Sequence, residues 1–591
     1  MSNYFPPAIL FIIGALLIPF FRGRVRQAFI VLLPSLAFVN LFMLPEGIGW
    51  TYRFLDYELI LARVDRLSMV FGYIFVIMAF AGAIYSLHVK NTLEHIAAFI
   101  YVGSSLGVVF AGDYLSLYVF WEVMAFSSVC LICASKTRAS QAASFRYILV
   151  HIFGGLVLLA GIIFHVSTTG SIKFEYLGLS GLASYLILFG FALNAAIPPL
   201  SAWLSDAYPE GTVAGTVFLS AYTTKTAVYT LARAFPGTDI LVWAGTIMTL
   251  YGIVYAILEN DMRRVLAYSI INQVGFMVAG IGIGTAMALN GATAHAFAHI
   301  LYKALLMMSA GAVLFMTGRS KTTELGGLYK SMPITLLFCL VGAASISAFP
   351  LTGGFVSKSM VIVAAGEEKK TAIWLLLNLA SAGVFLHAGI KFPYFVFFAK
   401  DSGLRPSEPP VNMLIGMGIL AFLCIFIGVF PGVLYHILPF PVEYVPYTAA
   451  HVVGQLQLLM FSALAFFILL PYLQRTNTIT LDTDWIYRRG AQRLLSLAGT
   501  PLIRLSDNLS WFFNEGMPKF LVWFGQNPPG ALKIAADTIV LSFSGQKKRA
   551  ELKKQLEMEK ELYPADRLYP WSIGAAVSLV LLLFFVYLFF L

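Results

Sequence analysis

Six ionisable residues interrupt strongly apolar stretches of this 591-residue chain. They are Glu122, Lys225, His295, His299, Lys303 and Lys358. A charged side chain in the middle of a bilayer costs about 2.5–3.5 kcal/mol even on insertion scales, so such residues normally face a bundle interior or a hydrated cavity. Residues of this kind commonly carry protons or ions. Their recurrence along one chain indicates a proton path.

The sharpest local pattern is the row His295, His299 and Lys303, in which each residue follows the previous one by four positions. Steps of four keep side chains on one face of a helix and advance by about 6 Å each. Imidazole titrates near neutral pH, and a buried lysine can release its proton in an accessible range. The row therefore favours proton transfer, with structural hydrogen bonding as the alternative. A zinc site is disfavoured because no H-E-x-x-H sequence or cysteine partner stands nearby.

The other three residues lie in separate predicted helices. Glu122 is nine residues past Asp113 and hence roughly 13 Å into its span. Lys225 is the nearest deep cation in the same five-helix unit, so we expect the two to pair. Lys358 closely follows a predicted helix break, where freed carbonyl groups would ease its burial. Snorkelling to the membrane interface is the alternative for all three.

Composition limits the fold class. Hydrophobic residues make up 59% of the chain and charged residues 12%, and apolar stretches of roughly 20 residues recur, each long enough to cross a ~30 Å hydrocarbon core. The chain is therefore predicted to be an all-α polytopic membrane protein with about 16 transmembrane helices. The predicted spans are 5–21, 28–44, 67–87, 95–112, 114–134, 147–166, 180–200, 212–234, 240–258, 265–286, 288–317, 333–365, 372–398, 411–436, 452–473 and 570–591.

Alternate predicted loops carry the basic clusters. The positive-inside rule makes those loops cytoplasmic and, with an even number of spans, places both termini outside. The first span lacks a signal-peptide n-region and cleavage site, so we expect it to be a retained helix.

Two regions, 95–234 and 240–398, look like copies of one unit of five spans. An odd number of spans makes the second copy start on the opposite membrane side, so the repeats must be inverted. Each copy has a proline-containing break in its fourth helix, at 195–200 and at 347–354. Such breaks are tolerated at membrane depth only inside protein or beside water, although ordinary proline kinks remain the alternative.

The remaining regions flank these repeats. Residues 1–94 contain three predicted helices and residues 411–473 contain two. Residues 474–569 are polar and basic with amphipathic runs, including the aromatic stretch Asn508–Phe524 and the charged helical run 546–562. They predict an amphipathic helix lying laterally along the membrane interface or the protein, followed by the final span 570–591. A solvated linker is the alternative, but the aromatic density argues against disorder.

Cofactor motifs are scarce. The pair Cys130 and Cys133 is expected to be a buried bystander, since no second pair accompanies it. The sequence has no Rossmann glycine motif, P-loop or cysteine cluster, so we predict no cofactor, no metal and no nucleic-acid partner.

The chain contains five motifs that can be compared as a set. They lie at 261–269 with 272–275, Trp121-Glu122, 199–207, 294–306 and 349–358. This set resembles the antiporter-like subunits of respiratory complex I and Mrp-type cation/proton antiporters. In that comparison the motifs match the fifth-helix glutamate, the broken seventh and twelfth helices and the eleventh helix. Thr224-Lys225 with Val228-Tyr229 is most similar to the eighth helix of the D-type Mrp subunit, and 474–591 resembles the lateral helix and last span of the largest complex I antiporter-like subunit.

The resemblance implies two half-channels joined by a central polar axis that carries protons, with sodium exchange in Mrp systems. It pairs the glutamate with a seventh-helix lysine, but Asn194 stands at that position here. We expect Lys225 to take over as partner of Glu122, while a variant route or a partly structural role remain open. Asn194, His151 and Gln273 are expected as further members of the polar axis.

The resemblance also implies an assembly. It predicts hydrophobic partner subunits, a lateral extension on the cytoplasmic side that contacts them, and a bacterial or archaeal cell membrane. Whether the chain serves a proton-pumping oxidoreductase is left open.

Two other functions remain possible on sequence alone. A self-contained secondary transporter of a small solute would also use inverted repeats and broken helices, but it needs more polar ligands at the breaks. A haem or quinone subunit would use the 14-residue spacing of His151 and His165, but it needs a matching histidine pair on a second helix.

Overall fold

The computed structural model of the protein describes residues 5–472, 482–483, 485, 489–490, 493, 495–563 and 573–590. The chain forms two compact units, Met1–Asp484 and Trp485–Leu591. Most of the described residues are helical, which confirms the predicted all-α polytopic fold class.

The first unit contains nineteen described α-helices. The first seven are α1 (Pro7–Leu17), α2 (Gly23–Met43), α3 (Arg66–Tyr85), α4 (Thr92–Phe110), α5 (Tyr114–Cys133), α6 (Arg138–Thr169) and α7 (Gly181–Asn194). The next eight are α8 (Ala202–Ala207), α9 (Val213–Leu219), α10 (Thr223–Ala234), α11 (Asp239–Leu258), α12 (Met262–Ile283), α13 (Ala286–Thr317), α14 (Pro333–Ile346) and α15 (Gly353–Glu367). The last four are α16 (Thr371–Val384), α17 (Val411–Val429), α18 (Pro431–His436) and α19 (Ala449–Leu469). Two π-helical segments, Phe385–Lys391 and Tyr394–Phe398, continue α16.

Eleven of the described helices are long and apolar enough to cross a membrane, judged by length and composition. Four shorter apolar helices accompany them, at Pro7–Phe20, Gly181–Asn194, Pro333–Ile346 and Val577–Tyr587. The total of about 16 spans stays a prediction, because breaks divide several of the predicted spans.

The loop between α2 and α3 contains short strands that the sequence analysis did not anticipate. Strand β1 (Gly47–Ile48) pairs antiparallel with β4 (Arg63–Val64), and β2 (Thr51–Phe54) pairs with β3 (Tyr57–Ile60). Threonine and aromatic residues around a two-residue turn favour such pleated strands. The loop thus carries two small antiparallel pairs between helices predicted for residues 1–94.

Both proline-containing breaks lie where they were predicted, with 195–201 separating α7 from α8 and 347–352 separating α14 from α15. In each break an alanine takes the left-handed backbone conformation, Ala196 with φ 59° and Ala348 with φ 57°. The N–H of the next residue then donates to the carbonyl five positions back, over 3.1 Å in the first break and 3.0 Å in the second. The two breaks therefore share one local geometry.

A third break was missed. The sequence analysis predicted one continuous span over 212–234, but α9 ends at Leu219 and α10 begins at Thr223. No proline marks this interruption, so the apolar pattern alone gave no signal of it.

Helices α6 and α13 have the same length and the same ends. Each has 32 residues and begins after a threonine, Thr137 or Thr285, whose hydroxyl accepts the N–H of the residue three positions on. Each ends at a glycine in the left-handed conformation, Gly170 or Gly318. The two threonines are separated by 148 positions, and so are the two glycines.

The same separation of 148 positions relates two isolated β-bridges. Asp113 pairs with Lys173, and Asp261 pairs with Lys321. Each aspartate also caps the helix that follows it, α5 or α12. Corresponding positions in α5–α6 and α12–α13 can therefore be compared directly.

Helix α12 lies at the centre of the first unit, and the most apolar 18-residue window of this helix is completely buried. Helix α13 packs against α12, α15, α14, α17, α9 and α3. Polar side chains on the enclosed faces of these two helices are therefore kept from the outer surface of the unit.

The second unit contains α20 (Thr500–Trp511), α21 (Met517–Gln526), α22 (Pro528–Phe543), α23 (Gln546–Leu562) and α24 (Ile573–Phe590). The predicted charged run 546–562 is confirmed as helix α23, and the aromatic stretch Asn508–Phe524 is helical. The first residues of the predicted lateral extension, 474–481, lie outside the described residues, as do the ends of the predicted last span.

Candidate functional site

The predicted row His295, His299 and Lys303 lies on one face of α13, and all three side chains are completely buried. The ring centroids of the two histidines are 6.3 Å apart. The four-residue spacing thus places three protonatable groups in succession along the interior of the unit.

His295 is held between two neighbouring helices. Its Nε2 lies 3.1 Å from Oε1 of Gln273 on α12, and its Nδ1 lies 3.3 Å from Oγ of Ser357 on α15. The Tyr302 hydroxyl donates to the same Gln273 oxygen over 3.0 Å. Gln273, named from sequence as a further polar member, therefore contacts the row directly.

The other two members of the row have different surroundings. Lys303 donates from Nζ to Oγ of Ser269 on α12 over 2.7 Å. Neither ring nitrogen of His299 has a hydrogen-bond partner among the described residues, and its ring lies 5.3 Å from that of Tyr302. A buried imidazole with both nitrogens unused can accept a proton from one neighbour and donate a proton to another.

Lys225 and Lys358 both point at carbonyl groups released by helix breaks. Lys225 donates to the carbonyl of Ser220, between α9 and α10, over 2.7 Å. Lys358 donates to the carbonyl of Ile346, the last residue of α14, over 3.3 Å. The two lysines are 0% and 1% exposed, so the snorkelling alternative is wrong for both. The broken helices provide the partial negative charge that a buried ammonium needs.

Charge interactions connect these helices. Lys225 interacts electrostatically with all three members of the α13 row, and Lys358 interacts with His295. Like charges in a buried site oppose each other, so protonating one group disfavours protonation of the next. Among the described residues, no aspartate or glutamate forms an ion pair with Lys225, Lys303 or Lys358. The cluster is therefore a set of competing proton acceptors.

Sequence reasoning missed two further buried groups, His387 and Lys391, on the π-helical segment after α16. His387 bonds through Nδ1 to the carbonyl of Gly383 over 2.8 Å and interacts electrostatically with Lys303 and Lys358. Lys391 donates to three carbonyls at the end of α11, at distances of 2.6, 2.8 and 2.7 Å. Their spacing of four residues, the same as in the α13 row, was the signal that could have identified them.

A second group of site residues lies on α6 and α7. Nδ1 of His151 lies 2.9 Å from Oδ1 of Asn194, and both side chains are buried. The imidazole also packs against Tyr147 and Trp203, with ring centroids 4.1 and 4.7 Å away. His151 and Asn194 thus form one hydrogen-bonded pair, and Nε2 of His151 has no hydrogen-bond partner among the described residues.

Glu122 is half-buried on α5, with its carboxylate against α6. A Cβ added to Gly155 would overlap Oε1 of Glu122, so a larger residue at this position would force the carboxylate to move. Within the described ranges, no ion pair joins Glu122 to Lys225, whose ammonium turns toward the break in its own helix. The direct Glu122–Lys225 pair that we expected is therefore not formed in this structure.

The separation of 148 positions places Tyr147, His151 and Gly155 of α6 at the positions of His295, His299 and Lys303 of α13. The histidine in the middle is common to both helices. Glycine stands where α13 has its lysine, and the Glu122 carboxylate lies beside that glycine.

Neither cysteine of the predicted bystander pair is buried. Cys130 and Cys133 are free thiols that lie exposed on α5, so the expectation of burial was wrong. The exposed face of an apolar helix accommodates a thiol as well as a core does. In the part of the chain that the structure describes, no group of three or more histidine, cysteine, aspartate or glutamate side chains is arranged to hold a metal ion.

Comparisons with known proteins bear on this arrangement. The family model described as NADH:quinone oxidoreductase/Mrp antiporter, TM, matches residues 111–384. The chain is 30% identical over 334 residues to the D subunit of the Na⁺/H⁺ antiporter of Alkalihalophilus pseudofirmus, which covers 53% of this chain and 67% of that protein. It is 28% identical over 502 residues to an A1 subunit of the Na⁺/H⁺ antiporter of Staphylococcus aureus, covering 73% of this chain and 62% of that protein. The chain thus spans less than two thirds of the Staphylococcus aureus relative.

Two solved structures share the fold. A chain of the Mrp complex from Dietzia sp. aligns with a TM-score of 0.65 at 19% identity, covering 77% of this chain and 98% of that one. A chain of the membrane-bound sulfane sulfur reductase, an archaeal respiratory membrane complex, aligns with a TM-score of 0.68 at 24% identity, covering 81% and 86%.

Proposed function

Because the chain belongs to the NADH:quinone oxidoreductase/Mrp antiporter membrane family, we propose that it is a proton-translocating, antiporter-like membrane subunit of a multi-subunit complex. Its relatives named above are Na⁺/H⁺ antiporter subunits, which supports exchange of protons for sodium as the specific activity. Both structures that share its fold come from membrane complexes, which supports a role among other membrane subunits.

The proposed path uses Glu122, Lys225, the α13 row and Lys358. The observation that carries this proposal is the buried cluster of protonatable groups on α10, α13 and α15, which has no acidic counter-ion among the described residues. Because each charge opposes the next, a proton arriving at one group favours release from its neighbour. A change in protonation at Lys225 thereby affects the protonation of the α13 row and, through His295, of Lys358.

Glu122 enters this path indirectly in our proposal. Its carboxylate lies beside Gly155, one helical turn from His151 on α6. Tyr147 packs on His151 and lies near Thr223, two residues before Lys225. In our proposal the buried hydroxyls of Tyr147 and Thr223, and not the imidazole of His151, connect Glu122 to Lys225 and would take the place of a direct ion pair.

We further propose that 95–234 and 240–398 are inverted repeats. The matched ends of α6 and α13, the matched bridges and the shared geometry of the two proline-containing breaks support this division. Residues 1–94 and 411–473 would add helices around the repeats. Residues 474–569 would form the lateral extension on the cytoplasmic side, in contact with neighbouring subunits, and 570–591 the last span. Both termini would then lie outside a bacterial or archaeal cell membrane.

Flux measurements test the proposed function. The whole complex, purified with its partner subunits, is reconstituted into liposomes that contain a pH-sensitive dye, and a sodium pulse is applied. We expect a sodium-dependent proton flux that Lys225→Ala abolishes, because the cluster loses its connection to α10. Lys330→Ala is the matched control, since that lysine is exposed and pairs with Asp401 in a loop. Near-normal flux in Lys225→Ala would refute the proposed path.

A further inference from the structure

Asp482 is a buried carboxylate in the chain segment that follows α19, and it is 7% exposed. The Tyr268 hydroxyl donates to its Oδ2 over 2.7 Å, and the Ser205 hydroxyl donates to the same oxygen over 3.3 Å. Tyr251 donates its hydroxyl to Oδ1, which also accepts the backbone N–H of Thr483 over 2.5 Å. The carboxylate thus has donors for both oxygens.

The three side-chain donors come from three helices that are distant in sequence. Ser205 lies on α8, Tyr251 on α11 and Tyr268 on α12. Hydrogen bonds to an ionised carboxylate are about twice as strong as those between neutral groups. One side chain therefore ties the second half of a broken helix to the buried central helix.

Two of these helices carry contacts of the candidate site. On α8, Trp203 packs against His151 and donates through Nε1 to the carbonyl of Leu193 over 3.0 Å. On α12, Ser269 directly follows Tyr268 and accepts the Lys303 ammonium over 2.7 Å. Asp482 therefore bonds to Ser205, two residues after the Trp203 that packs on His151. It also bonds to Tyr268, the residue before the Ser269 that contacts Lys303.

We propose that Asp482 is a positioning residue for the proton path, an inference that rests on the proposed function. The carboxylate fixes Tyr268, and with it the turn of α12 that presents Ser269 to Lys303. Loss of the bond from Tyr268 to Asp482 would therefore weaken the Ser269–Lys303 contact.

The chemistry of the donors explains why an acid is required here. Every group directed at Asp482 is a hydroxyl or an amide N–H that donates. An asparagine side chain would direct its NH₂ at the donors of one oxygen, so a hydroxyl there would have to accept instead of donate, and the stronger hydrogen bonds to a carboxylate would be lost. A glutamate at position 482 keeps both acceptor oxygens, and only the distance of the carboxylate from the backbone changes, by one methylene group.

A double-mutant cycle tests the inference in the reconstituted complex, with sodium-driven proton flux as the readout. We expect Asp482→Asn to lower flux about tenfold and Asp482→Glu to restore it to within about threefold of wild type. Ser269→Ala should lower flux by a similar factor. Because both changes disturb one contact, the double variant should be no slower than the slower single variant. Fold reductions that multiply in the double variant would overturn the inference, as would wild-type flux in Asp482→Asn.

Three measurements separate this result from other failures. Absence of flux in the wild-type complex would count against the proposed function. When the wild-type complex does show flux, the double-mutant cycle tests the role of Asp482. Asp401→Asn is the control carboxylate, since it lies in an exposed loop with Arg405 and Lys330. If Asp482→Asn fails to assemble, the milder Tyr251→Phe replaces it in the same cycle, with an expected loss of about threefold and the same requirement of non-multiplying effects.

Discussion

The α13 row and the corresponding face of α6 occupy matched positions but present different chemistry. On α13 the positions hold His295, His299 and Lys303, which are all buried, and Lys225 interacts electrostatically with each of them. On α6 the same positions hold Tyr147, His151 and Gly155. A histidine in the middle is the only ionisable group that the two faces share.

The difference shows how two helices of equal length and matched ends carry different charges. Where α13 places a lysine, α6 has a glycine, and a carboxylate from α5 lies beside it. The histidine of α6 then bonds to neutral Asn194, whereas His299 has no hydrogen-bond partner among the described residues. His151 thus uses one of its two ring nitrogens in a hydrogen bond, whereas among the described residues both ring nitrogens of His299 are available to a moving proton.

The largest effect is expected at the lysine that α6 lacks. Lys303→Ala should reduce sodium-driven proton flux at least 100-fold, because proton transfer by one positioned group typically contributes a factor of about 10²–10⁴. Flux in the reconstituted complex is the measurement. Flux within tenfold of wild type would remove Lys303, the last member of the row, from the path.

Gly155, the α6 residue that matches Lys303, is the next position to test. Gly155→Ala would place a Cβ against Oε1 of Glu122 and force the carboxylate to move. Because the carboxylate ends a flexible side chain, we expect a stability change of about 1 kcal/mol or less but a roughly tenfold loss of flux. Thermal unfolding and flux are measured together. Gly432→Ala is the control, since no atom lies within 4 Å of its added Cβ, and equal flux in the two variants would contradict the role given to Glu122.

A smaller effect is expected for the energetic coupling between Glu122 and Lys225, which form no direct ion pair among the described residues. Since Glu122 and Lys225 make no direct contact, the fold losses of Glu122→Gln and Lys225→Arg should multiply in the double variant, with a coupling energy below about 0.5 kcal/mol. Lys225→Arg is chosen here because it leaves measurable flux. A coupling of about 1 kcal/mol or more would restore the direct pair predicted from the sequence.

The smallest effect is expected at Asn194. Asn194→Ala leaves Nδ1 of His151 without its partner, which should lower the free energy of unfolding by about 1–3 kcal/mol. Flux should stay within about twofold of wild type, because our proposal assigns proton transfer to the α13 row. Chemical unfolding gives the first quantity, and a large loss of flux at unchanged stability would be the contrary result.

Local pattern in the sequence predicted the parts of the site that depend on local structure. Four-residue spacing placed the α13 row on one face, and prolines marked the breaks at 195–200 and 347–354. The break before α10 has no proline, so Lys225 was placed in a continuous helix and its carbonyl partner was missed. The orientation of that lysine then made the expected pair with Glu122 wrong for this structure.

Contacts between distant segments could not be read from the sequence. Asp482 meets donors from three helices more than 200 residues away, and no motif connects them. The carboxylate space beside Gly155 likewise depends on how α5 packs on α6. His387 and Lys391 differ, because their spacing was visible and only the π-helical turn concealed that they face inward.

The most direct test compares the two matched histidines in one flux assay on the reconstituted complex. His299→Ala removes a ring with both nitrogens available, and His151→Ala removes a ring already bonded to Asn194. Our account predicts that His299→Ala loses at least tenfold of the sodium-driven proton flux while His151→Ala keeps half or more. Equal losses, or a larger loss in His151→Ala, would contradict the assignment of proton transfer to the α13 row.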